Sequence, residues 1–295
     1  MRRTGAFCSL LLLAAGAAIP DDQPTTAVPE PFRRAVAAQK GLVAKQIRDV
    51  YIHFIGHLRR EGEHSISVEY WYRAADRSFR IRTASRTRSS EFSERGIFGE
   101  RRFWERRRDG SVRRLFRTHR QDEQSIHKIQ RDREDFEALR GFLFLRELQG
   151  PKTRYRLVSS APVSLDGDHP RERGNVLGKS DAERKGRRYH RVDVFPEGRP
   201  RLRLFVREGP YTVHKVIVYD REAPDRPAGV YYLGAYSDRT NPMGALLPQV
   251  FAYHRQEPRD PKTGLESSVA WGRIREVGIN RDPSDGLFQG KPAGG

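Results

Sequence analysis

The stretch from His64 to Arg82, HSISVEYWYRAADRSFRIR, decides how the rest of the chain is read. Ile66, Val68, Tyr70 and Tyr72 fall on one side of a two-residue repeat, with Ser65, Ser67, Glu69 and Trp71 on the other. After a turn, Phe79 and Ile81 continue the apolar side and alternate with Ser78, Arg80 and Arg82. Aromatic and β-branched residues alternating with polar ones are the mark of half-buried antiparallel strands. The segment 50–58 before it reads as another strand. Beyond it, 101–106 and 111–116 face each other across Asp109-Gly110, a hairpin signal. Further strands read at 188–195, 201–207, 212–219, 229–236, 248–254 and 268–279. Short strands joined by turns make a meander or barrel, not β-α-β units.

Two segments keep a helical period instead. Phe32, Val36, Val43 and Ile47 form one stripe over 32–48. A second helix is expected over 132–149, capped by Asp132 and stopped at Gly150-Pro151. Its stripe of Phe136, Leu139 and Leu143 widens through Phe142, Phe144 and Leu145 until the helix is apolar nearly all round. Such a helix is buried on more than one side, or it shields something apolar.

The ends set the address. Residues 1–19 have a basic start (Arg2, Arg3), an apolar run and small residues at Gly16-Ala17-Ala18, the order of a secretory signal peptide. Cys8, the one cysteine, lies inside that run, so the exported product is expected to carry no lipid on cysteine and to be periplasmic. Residues 20–31 read as a flexible linker, 32–288 as a single domain and 289–295 as a disordered tail. The polar stretch 159–187 reads as a long surface loop.

Lys and Arg number 56 against 38 Asp and Glu, a net charge of +18, and the mean hydropathy of −0.77 excludes a polytopic membrane protein. The cations are mostly Arg, densest at Arg101-Arg102, Arg106-Arg107-Arg108 and Arg113-Arg114. They suit a solvated face as well as a polyanion site. Outside the cytosol the polyanions on offer are anionic lipid head groups and glycans, so nucleic acid is not expected as a partner.

Catalytic signatures are missing from the sequence: it has no G-x-S-x-G elbow, Walker loop or H-E-x-x-H helix. His53 and His57 share a strand face without a third ligand in view, and Asp166, Asp168 and His169 offer too few oxygens for calcium. The expectation is a protein that is not an enzyme and uses no metal or cofactor. Its apolar inventory is richer. Tyr70, Tyr72, Phe79 and Trp104, with Leu204 on the sheet and Phe142, Leu143 and Leu145 on the helix, are candidate walls of a hydrophobic cavity. From composition alone an ordinary packed core is the simpler account of the same residues, because sequence does not distinguish a filled barrel from a hollow one.

The order of these elements resembles the LolA/LolB-like superfamily of outer-membrane lipoprotein-sorting proteins. The resemblance rests on VYIHFIGHL (50–58), the paired strands Y-W-Y-R…F-R-I-R, the hairpin GERRFWERRRDGSVRRL (99–115), the helix, the meander, and the close VGINRDPSDGLFQGKP (277–292). It covers roughly residues 35 to 288. It implies a mainly β (α+β) fold, an incomplete antiparallel β-barrel covered by helices. It also implies a soluble, monomeric periplasmic carrier for acyl chains of lipoproteins or lipids, served by membrane donor and acceptor proteins. A sensor or basic interaction module binding anionic lipid, glycan or a protein partner is the alternative.

Overall fold

A computed structural model describes residues 23–39, 47–59, 63–85, 92–159, 161–165, 186–221, 223–238, 245–255 and 269–291. The expected signal peptide, Cys8, the Asp166/Asp168/His169 cluster and residues 160 and 166–185 of the 159–187 loop lie outside these residues.

The chain opens with α1 (Glu30–Ala38), then runs through β1 (Asp49–Arg59), β2 (Glu63–Arg73), β3 (Ser78–Ser85), β4 (Phe92–Phe98), β5 (Arg102–Arg106) and β6 (Val112–Leu115). The helix α2 (Glu123–Leu143) follows, and a 3₁₀ turn at Leu145–Leu148 extends it. Next come β7 (Arg154–Leu157), β8 (Val163–Ser164), β9 (Arg188–Phe195), β10 (Leu202–Arg207), β11 (Val213–Tyr219), β12 (Pro227–Ser237), β13 (Leu247–Arg255), β14 (Val269–Ile279) and the single turn α3 (Asp285–Phe288).

All fourteen strands belong to one antiparallel sheet in the order β6-β5-β4-β3-β2-β1-β14-β13-β12-β11-β10-β9-β7, with β8 beside β9. Among the described residues β6 and β7 end the row without meeting, so the barrel is incomplete, as the resemblance implies. The strand pattern carries this arrangement. Tyr72 faces Phe79 and Val50, and Tyr70 faces Ile81 and Ile52, so the apolar halves of three strands line the concave side. Across β14 the register slips between His53 and Phe54, leaving Arg275 as an extra residue that returns Ile274 to the concave core.

The helices depart from the sequence reading in their limits. α2 begins already at Glu123, and Asp132 is a mid-helix residue whose carboxylate takes the Arg95 guanidinium of β4 at 2.5 Å. Ile126 and Ile129, which carry the apolar stripe into the earlier turns, are buried. α1 starts at Glu30, with Pro29 before it and Pro31 in the first turn, where proline costs the helix nothing. The expected linker is tied down at Thr25, which bridges Tyr155 of β7 through both backbone hydrogen bonds. At the other end Gly290, assigned to a disordered tail, is buried against the Trp104 ring. β4 went unread as a strand because its concave side carries Arg95 between Ser93 and Ile97, which blurs the alternation.

Candidate functional site

The concave face is one continuous core. Leu204, fully buried, sits between Val192 of β9 and Val216 of β11, while Leu233 and Phe251 extend the surface across β12 and β13. α2 lies over it. Tyr70, Tyr72 and Phe79 gather around the helix residue Phe136, at ring distances of 5.1, 6.0 and 5.7 Å. Burial pushes the Tyr70 and Tyr72 hydroxyls above the usual phenol range, so both stay protonated. Past the middle of α2, Phe142 packs on Tyr231 at 4.7 Å, and Leu143 and Leu145 are almost wholly enclosed. The cavity that Phe142 and Leu145 line measures about 10 Å³, too small for a ligand.

The helix end is held by a polar clamp. Gln39 at the close of α1 donates through Nε2 to the Leu143 carbonyl at 2.7 Å and accepts through Oε1 from the Leu145 N–H at 2.9 Å. Two backbone groups orphaned by the break at Phe144 are thereby satisfied in the core.

A larger opening lies beside the helix, not beneath its tip. Between α2 and the turn joining β9 to β10 is a cleft of about 350 Å³. Ala138, Leu148 and Leu202 give it an apolar floor, and Arg77, Arg133, Arg199 and Arg221 stand around it with Glu134 and Glu137. Arg77 is engaged, donating to Glu137 at 3.1 Å. The Nη1 atoms of Arg133 and Arg199 are buried and have no hydrogen-bond partner. Orphaned buried guanidinium nitrogens are costly. A carboxylate or phosphate at the rim would satisfy them, and an alkyl chain would cover the floor. Nearby, burial raises the Glu147 carboxyl's pKa, against which the Arg140 and Arg199 charges pull it down.

The proposed cavity residues therefore divide. Tyr70, Tyr72, Phe79, Phe142, Leu143, Leu145 and Leu204 meet on the helix-covered face, whereas Trp104 points to the opposite side of the sheet. There its Nε1 donates to the Phe288 carbonyl of α3. The arginines of the cleft are not legible in the sequence because Arg77, Arg133, Arg199 and Arg221 come from four separate segments with no shared spacing.

The histidines are accounted for locally. His53 shares a hydrogen bond with Ser67 at 2.9 Å and His57 stacks on Trp271 at 5.5 Å. Among the described residues no three His, Cys, Asp or Glu side chains gather as metal ligands would. None of the described helices is long and apolar enough to cross a membrane.

No protein-family model and no curated protein matches the chain. Solved structures do resemble it in outline. A LolA superfamily protein from Nitrosomonas europaea is 11% identical, with 89% of this chain and 98% of that one covered at a TM-score of 0.48. A DUF1329 family protein from Desulfovibrio piger is 13% identical, with coverage of 88% and 95% and a TM-score of 0.45. At such identities and scores the likeness is one of sheet architecture, and function has to come from the chain's own residues.

Proposed function

We propose that the protein is a soluble periplasmic carrier that binds acyl chains of lipoproteins or lipids, not an enzyme, and that the cleft beside α2 is where the chain enters. The observation that carries this reading is the pairing within one cleft of an apolar floor at Ala138, Leu148 and Leu202 with the partnerless Nη1 atoms of Arg133 and Arg199. Such a site suits a molecule with an anionic head and an aliphatic tail. Each CH₂ withdrawn from water is worth about 0.8 kcal/mol. A modest length of chain therefore holds firmly, and movement of α2 away from the sheet would lengthen the apolar path inward.

Ala138 offers the test. A Trp side chain there would fill the cleft from the helix side without touching the clamp at Gln39. Native mass spectrometry of protein purified without detergent and incubated with a long-chain fatty acid should show one bound molecule for the wild type. Ala138→Trp should show none while keeping its melting temperature. Equal loading of both proteins would remove the cleft from the account.

A further inference from the structure

A groove larger than the cleft lies away from α2. It measures about 660 Å³ and lies at the β5–β6 edge, between that hairpin and the backbone of residues 289–291. Trp104 forms its floor, fixed by its bond to the Phe288 carbonyl and covered in part by Gly290, whose approach to the indole leaves no room for a Cβ. Arg106 ties the two walls together, pairing with buried Glu94 at 3.0 Å and donating to the Gly290 carbonyl. The groove is thus held open by a tryptophan and an arginine that are already committed.

Its other cations have no carboxylate partner, although Arg102 lies over the Phe98 ring at 5.5 Å. Arg101, Arg102, Arg114 and Lys291 line the groove, no carboxylate does, and among the described residues none of the four makes an ion pair. Beside them Phe116 and Val112 are two of the few large apolar side chains left in solvent, 51% and 38% exposed. Unpaired cations and protruding apolar side chains on one edge are what an anionic lipid–water interface accepts together. The cations sit at phosphate level, and the apolar groups enter the boundary with the acyl region.

We propose that this edge docks the protein on a bilayer surface rich in anionic phospholipid, with one headgroup phosphate seated in the groove over Trp104. Strand addition by an acidic peptide is the weaker fit, because β6 is only four residues long and arginines at 113 and 114 blunt it as a pairing edge. The docked face is separate from the cleft at the β9–β10 turn, so a carrier could sit on a membrane with its entrance free. The inference goes beyond acyl binding and stands without it.

Co-sedimentation with vesicles tests it. The wild type should bind phosphatidylcholine vesicles containing a quarter phosphatidylglycerol and ignore pure phosphatidylcholine. The double variant Arg102→Glu/Arg114→Glu should lose at least about tenfold in partition. Phe116→Ser should lose several-fold with its charge unchanged. Arg131→Glu/Arg273→Glu, exposed residues away from the groove, alters net charge equally and should lose far less. Equal losses in the two charge variants, or equal wild-type binding to both vesicle types, would overturn the proposal. So would displacement by millimolar glycerol phosphate, which would make the groove a site for a free anion, or by an acidic peptide, which would make it a protein site. Fatty-acid loading of the groove variants is read in parallel, so that a lost carrier function and a lost docking surface are told apart.

Discussion

At the scale of single residues, the charge balance of this strongly basic chain is settled by a few buried acids. Asp193 on the convex face of β9 is fully enclosed and receives Arg156 at 2.8 Å, Arg201 at 2.6 Å and Arg203 at 2.7 Å. Burial alone would raise its pKa, but the hydrogen bonds from Arg203 and Arg156 outweigh that and hold it below the usual carboxylate range. Removing the carboxylate leaves three clustered guanidinium groups, and Asp193→Ala should cost about 3 kcal/mol, the low end for a broken buried pair because the arginines reach solvent. Thermal melts should fall by roughly 6 °C or more. Because the folded pKa is depressed, the stabilisation is present above the unfolded value near ~3.9 and is lost as pH falls through the folded one. Denaturant titrations at pH 5 and pH 3 should therefore show a steeper acid loss for the wild type than for Asp193→Asn. Parallel losses in the two proteins would mean that the arginines do not depress this carboxyl.

At the scale of elements, α2 covers the concave face of the open sheet and Gln39 holds its end. Replacing that amide by Ala leaves the Leu143 carbonyl and the Leu145 N–H buried without partners, so Gln39→Ala should cost about 2 kcal/mol. Hydrogen exchange would place the loss: amides near 139–148 should exchange faster than those of the β1–β2 pair. A uniform change would mean that Gln39 is ordinary core. The strands were legible in the sequence wherever one face alternates cleanly, as in Ile66, Val68, Tyr70 and Tyr72. β4 was not, because Arg95 on its inner face answers to Asp132 on the helix, a partner that sequence spacing does not reveal. The apolar run at 142–145 is legible as buried, and the cleft proposed as the entrance lies earlier along the helix, at Ala138. A buried turn of helix and a cavity wall share one composition, and only the packing of Phe142 on Tyr231 separates them. Trp104 shows the same limit from the other side: its groove depends on residues 289–291, far along the chain.

At the scale of the whole molecule, the open sheet has two kinds of surface. Its concave face is largely apolar, with Arg95 of β4 paired to Asp132 of the covering helix α2, and the cleft beside that helix holds orphaned guanidinium nitrogens. The β5–β6 edge carries unpaired cations and exposed apolar side chains. Carrying acyl chains is the central claim, and salt separates it from binding by surface charge. Exposed charge contacts are screened within about 3 Å at 1 M ionic strength, while an aliphatic tail in a cleft is not. The deciding measurement is a fluorescent fatty-acid titration in 0.1 M and 1 M NaCl. The account predicts saturable binding of one probe per protein, with an affinity that changes by no more than about threefold between the two salts. Absence of saturable binding at low salt, or its collapse in 1 M NaCl, would contradict it.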